Sequence, residues 1–388
     1  MKIRQRTSRG AVIAGLALAL SGACAAAAPA AQVKVLYGFD GAKDGDGGPD
    51  TELLRASDGL FYGATCCAGK SGYGTIYSTD LHGRTRTLHA LALADGIDVN
   101  GPLVQAPDGN FYGSAFSGGD TTAGTLFRLA ADGTFTVLHA FTGEDGENPL
   151  GGLVLASDGA LYGTTTAGGK HGGGVLFRMS LAGDYARLHD FGDVGSDPRN
   201  PVGVLLETAG GAMVGVTETG GAHHAGTVFR LGADGMFGTV VDFAATGTGP
   251  RSPREGLVDG RDGWLYGTTM SGGEAGGGTV YRLKLDGTIQ TLHGFAGAPA
   301  DGATPKARLL LASDGEFYGV TVLGGGADLG VAFRITHAGD YAVLHDFSPA
   351  DGDQLQSALA QASAGTLVGA ATRDGPAAHG DTYLLKLH

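Results

Sequence analysis

One glycine returns seven times along this chain, always in the phrase "YG" or "VG" and always at nearly the same interval. It stands at Gly63, Gly113, Gly163, Gly215, Gly267, Gly319 and Gly369, with spacings of 50, 50, 52, 52, 52 and 50. The clearest copy of the surrounding phrase is "GGLVLASDGALYGTTTAGGKHGGGVLFRMSLAGDYARLHDFGDVGSDPRNP" at 151–201. A period of this length means one supersecondary unit repeated in tandem, each unit burying its apolar faces against its neighbours.

Each copy splits into four short β runs. In the clearest copy these are "GLVLAS" (152–157), "ALYGTTT" (160–166), "GVLFRMS" (174–180) and "DYARLHDF" (184–191). A turn at Asp158-Gly159 joins the first pair, and it recurs at Asp58, Asp108, Asp262 and Asp314. A second turn, at Ala182-Gly183 here, recurs at Asp132-Gly133, Asp234-Gly235 and Asp286-Gly287. Asp-Gly between β runs favours a tight hairpin. Four antiparallel strands per repeat is the pattern of a β-propeller blade.

The ends of the chain set the ring size. The last copy stops after its third run, "DTYLLKL", whereas residues 33–40, "VKVLYGFD", form an orphan fourth run near the start. Pairing the two completes a seventh blade and removes the exposed edges of an open array. The expectation is an all-β, seven-bladed β-propeller closed by its N-terminal strand, a single domain over 32–388.

Residues 1–31 read as a secretory signal. Lys2, Arg4, Arg6 and Arg9 form a basic start, residues 11–20 an apolar core, and Ala28-Pro29-Ala30 a small-residue cleavage site. Cys24 lies in a loose lipoprotein-like box, but the leucine is one place too far upstream, which favours cleavage near Ala30. Secreted or periplasmic residence follows. No later stretch is long and apolar enough to span a membrane as a helix. Losing those four positive charges takes the formal charge from −13 to −17, which disfavours nucleic acid as a partner. Cys66 and Cys67 are then the remaining cysteines. They form either a strained vicinal disulfide or a pair of small packing residues.

The phrases "ASDGALYGTTTAGG", "GTLFRLAADGTFTVLHAFTGEDGENP" and "GTVYRLKLDGTIQTLHGF" resemble the GloVer tandem repeat of bacterial choice-of-anchor surface proteins. The likeness covers nearly all of residues 33–388. It implies an exported or surface-displayed repeat protein and brings no catalytic residues with it. Members typically carry an added sorting tail. This chain ends in a β run at His388, which shifts the expectation toward release or periplasmic residence.

Repetition also separates structure from function, because one active site does not need a copy in every blade. His89, His139, His189, His293 and His345 recur in "LH-x-F", and Arg128, Arg178, Arg230, Arg282 and Arg334 follow an aromatic. We read both sets, with Tyr62, Tyr112, Tyr162, Tyr266 and Tyr318, as scaffold, the histidines pegged by the arginine or an Asp-Gly turn. The lone Trp264 reads as a surface or packing aromatic.

Function belongs to loops that vary between copies, namely those between runs two and three and from run four to the next blade. They carry the ligand-binding candidates Cys66, Cys67, Lys70, His171, His223, His224, Arg251 and Arg254, together with His379. Asp44, Asp46 and Asp50 are hard oxygen donors for weak calcium binding, without EF-hand spacing. No other cofactor is expected, and no established catalytic motif is present.

The expected function is an exported, monomeric binding or interaction module for a glycan, peptide or surface partner. The alternative is a polysaccharide lyase or hydrolase at the central mouth, drawing on His171, His223, His224, His379 and Arg251. Convergence of the singular residues at one mouth would favour chemistry over display.

Overall fold

The computed structural model describes residues 31–40, 48–49, 51–67, 71–373 and 379–387. The repeated phrase builds the same four antiparallel strands each time. In blade 3 they are Val154–Leu155, Leu161–Thr165, Val175–Met179 and Tyr185–Asp190, paired in that order. Blade 1 uses Leu54–Arg55, Phe61–Ala64, Thr75–Thr79 and Arg86–Ala90. Blades 2, 4, 5 and 6 follow along the chain with inner strands at Val104–Gln105, Pro198–Glu207, Val258–Asp259 and Leu310–Leu311. Blade 7 is assembled from both ends. Ala360–Ser363, Thr366–Ala371 and Asp381–Lys386 are completed by Gln32–Gly38. The pairing runs from Gln32 opposite Lys386 to Gly38 opposite Asp381, with a bulge between Val35 and Tyr37. The protein is a seven-bladed β-propeller, with no helix among the described residues.

The marker glycine is required by its cross-strand partner. Gly163 pairs with Phe177, Gly113 with Phe127 and Gly267 with Tyr281. In each pair the aromatic ring lies across the glycine. A Cβ on Gly163 would sit 2.6 Å from the Phe177 ring, and one on Gly113 would sit 2.5 Å from that of Phe127. Both rings are fully buried. The second strand therefore gives up a side chain so that a large apolar ring can fill the blade interior.

The core is divided among the wedges between blades. One wedge joins Tyr112, Leu126 and Phe141 of blade 2 to Leu153, Phe177 and Met179 of blade 3. The wedge joining Phe39, Phe61 and Tyr77 to Val368 and Leu384 seals the last blade against the first. Each blade is thus stabilised by apolar burial on both faces.

The recurring polar residues are scaffold. His89 and His293 bond the aspartate of the link to the next blade, Asp95 at 2.9 Å and Asp301 at 3.1 Å. Both aspartates begin an Asp-Gly step, Asp95-Gly96 and Asp301-Gly302, so of the two expected partners the Asp-Gly turn is the one used, in the link and not in a hairpin. The imidazoles also stack on the next blade, His89 on Phe135, His139 on Tyr185 and His293 on Tyr341, with ring centres 4.3, 4.1 and 3.7 Å apart. Each histidine is therefore an inter-blade staple. Tyr62, Tyr112, Tyr266 and Tyr318 donate to the turn aspartates Asp58, Asp108, Asp262 and Asp314, each at 2.7 Å. Trp264 packs against the core with Arg282 and Lys284 over its ring, as read from sequence.

Candidate functional site

The inner strands surround a central channel, and the residues entering each of them form layers down its axis. In the outermost layer Asn100, Leu150, Arg254, Lys306 and Gln356 ring a recess of about 160 Å³. This mouth is on the face of the varied loops, opposite the Asp-Gly hairpins. Beneath it lie Glu52, Glu255 and Arg308.

These three charges stand in columns of the repeat that are otherwise small or uncharged. Glu52 and Arg308 share theirs with Pro102, Gly152, Val204, Gly256 and Ala358. Glu255 shares its column with Thr51, Gly101, Gly151, Gly203, Ala307 and Ser357. The inner backbones approach closely there, so small residues are the scaffold solution. A long charged side chain is a departure that needs another reason.

Arg308 of blade 6 reaches Glu52 of blade 1 across the channel, past the intervening blade 7. Its Nη2 donates to both carboxylate oxygens, at 2.7 and 2.9 Å. The Arg308 Nε is buried and donates to nothing. Glu52 holds the Arg308 guanidinium firmly charged, its attraction outweighing burial. Glu255 stands beside the pair. Burial pushes its carboxyl from 4.5 up to about 7, Glu52 adds repulsion, and Arg308 and Arg254 act the other way. Solvent touches Glu255 through the mouth, yet protein encloses it on every side, and the enclosure governs its charge. At the rim Arg254 Nη1 donates to Glu218 at 2.6 Å, and Lys306 Nζ has only a long bond to Gln356 Oε1, 3.4 Å. The recess thus combines cationic donors, a carboxyl titrating near neutrality and amide groups in one concave site.

Among the described residues, Arg254 is the one candidate named from sequence that lines this recess. His171 pairs at 3.3 Å with Asp193 of the link that leaves the same blade. His223 and His224 are exposed in a turn, and Arg251 donates to the carbonyl of Ala245. The Cys66 and Cys67 sulfurs lie 2.9 Å apart, not joined by a disulfide. His379 is half-buried at the start of the last strand of the chain. Lys70, Asp44, Asp46 and Asp50 lie outside the described residues. No group of three or more metal-ligating side chains is present among the described residues, and no described helix is long and apolar enough to cross a membrane. The signal for Glu52, Glu255 and Arg308 was available in the alignment of repeats, as charge in columns of small residues.

The model of the Gloeobacter/Verrucomicrobia repeat matches residues 21–229 and again 194–383. The chain belongs to the Gloeobacter/Verrucomicrobia repeat family. No curated protein matches this family member. Among solved structures it is similar to virginiamycin B lyase from Staphylococcus aureus. The TM-score is 0.61 at 14% identity, over 92% of this chain and 99% of that one. It is also similar to the periplasmic gluconolactonase of Pseudomonas aeruginosa, with a TM-score of 0.52 at 18% identity, over 84% and 96% of the two chains. At such identities the likeness is one of fold.

Proposed function

We propose that this Gloeobacter/Verrucomicrobia repeat protein is an exported binding propeller that takes an acidic saccharide at the channel mouth. Export rests on the basic and apolar segment at residues 1–31. The observation that carries the ligand is the gathering of Glu52, Glu255, Arg308, Arg254 and Lys306 in two adjoining recesses that share Glu255, Asn100 and Gln356. Lys306 at the rim suits a sugar carboxylate, while Asn100, Gln356 and the glutamates suit hydroxyls. An array of acidic and neutral saccharides tests this. Acidic members should be retained, and Lys306→Gln should weaken them severalfold. Equal retention of neutral sugars, or no effect of the substitution, would refute the assignment.

One observation favours a catalytic alternative, a lyase or hydrolase acting in the same recess. A carboxyl titrating near 7 beside guanidinium groups is suited to moving a proton next to a carboxylate. Glu255→Gln distinguishes the readings, because it would abolish turnover on an enzyme and leave a binding protein able to hold its ligand.

A further inference from the structure

Below the Glu52–Arg308 pair the channel changes character. A second recess, of about 500 Å³, opens toward the hairpin face. The next layer of the inner strands supplies an aliphatic side chain from blade after blade: Leu54, Val104, Val154, Leu206, Leu310 and Ala360. All but Ala360 remain partly exposed. Glu52, Pro102 and Arg308 line both this chamber and the small polar hollow beneath the mouth, so the ion pair lies between a polar mouth and an apolar chamber.

One cationic group stays open to this chamber: Arg55, exposed at the lower lip and without a side-chain partner among the described residues. The Nε of Arg308 is buried and offers no donor to it. The acidic groups lining the chamber are already engaged. Glu52 is held by Arg308, and Glu207 accepts from the backbone N and hydroxyl of Ser157. The chamber is therefore aliphatic on its walls and cationic in its uncommitted donors, and its volume is in the range of small-molecule sites.

We propose that this lower chamber is a second binding site, for a small amphiphile with a carboxylate head and an aliphatic body. The head takes the open guanidinium of Arg55 at the lower lip, and the body lies against the aliphatic layer above it. This site is independent of the mouth and of any saccharide bound there.

Calorimetric titration of the full protein with decanoate tests the proposal, with decyltrimethylammonium as a probe of the same tail and opposite charge. Decanoate should bind saturably with one site, and decyltrimethylammonium at least about tenfold more weakly. Leu206→Asp should weaken decanoate about tenfold or more. Arg55→Glu, at an exposed position with little bearing on folding, should weaken decanoate and narrow the preference between the probes. Lys306→Gln, at the mouth, should leave decanoate affinity unchanged. No saturable decanoate binding, equal affinity for the two probes, or indifference to both Leu206→Asp and Arg55→Glu would overturn the proposal. So would loss of decanoate binding in Lys306→Gln, which would place the ligand at the mouth.

Discussion

Asp381 opens the strand that receives the N-terminal strand, and replacing it with threonine should stabilise the protein in a pH-dependent way. Its counterparts in the other blades are Thr75, Thr125, Val175, Thr227, Thr279 and Val331. Asp381 is wholly buried, and neither of its carboxylate oxygens has a hydrogen-bond partner. Burial, with repulsion from Asp351 added, pushes the carboxyl from 3.8 to about 8. The folded state therefore holds a proton that the unfolded chain releases. Stability falls as pH rises from 3.8 toward 8, and the loss is complete above that range. At about 1.4 kcal/mol per pKa unit the whole window corresponds to ~6 kcal/mol, and relaxation around the charge reduces this to about 2–4 kcal/mol. Threonine removes the charge and has a model to follow. In blade 2 the hydroxyl of Thr125 donates to the carbonyl of Asp95 at 2.7 Å, and Asp351 occupies the corresponding place in the link before blade 7. Denaturant unfolding of wild type and Asp381→Thr at about pH 5 and about pH 9 measures the effect, with a gain of about 2–4 kcal/mol at the upper pH and a clearly smaller one at the lower. An equal gain at both values, or a destabilised variant at the upper one, would refute the reasoning.

Three further outcomes follow from the same geometry. Gly163→Ala should cost about 1–3 kcal/mol in denaturant unfolding, because the buried Phe177 ring occupies the space of the new methyl group. Arg308→Met alone should destabilise by about 3 kcal/mol by leaving Glu52 uncompensated, and Glu52→Gln with Arg308→Met should recover much of that loss in the same assay. Affinity for an acidic saccharide should fall as pH rises through about 7, because Glu255 then ionises within a recess it shares with Glu52, Arg308 and Arg254. Calorimetric titrations across that range should show the dependence flattened in Glu255→Gln.

The fold was legible because its determinants are local and repeated. The marker glycines reported a buried ring on the adjacent strand, and the orphan run reported the closure, observed as Gln32–Gly38 against Asp381–Lys386. The histidines read correctly as scaffold with an Asp-Gly partner, but that partner, Asp95 or Asp301, belongs to the link to the next blade and not to a hairpin. The channel cluster was not found from loops alone. Glu52 and Arg308 stand 256 residues apart, and only ring closure brings blade 6 opposite blade 1. Their inner strands are as short as two residues, so strand patterning gave no reason to inspect the positions just before them. The varied loops, by contrast, keep His171, His223 and Arg251 in separate local settings.

The most direct test is a crystal structure of the protein grown with galacturonate. The carboxylate should lie within hydrogen-bonding distance of Lys306 or Arg308 at the channel mouth, with its hydroxyls against Glu255, Asn100 or Gln356. A sugar seated instead on the outer loops around His171 or His223, with the mouth holding only water, would contradict the account.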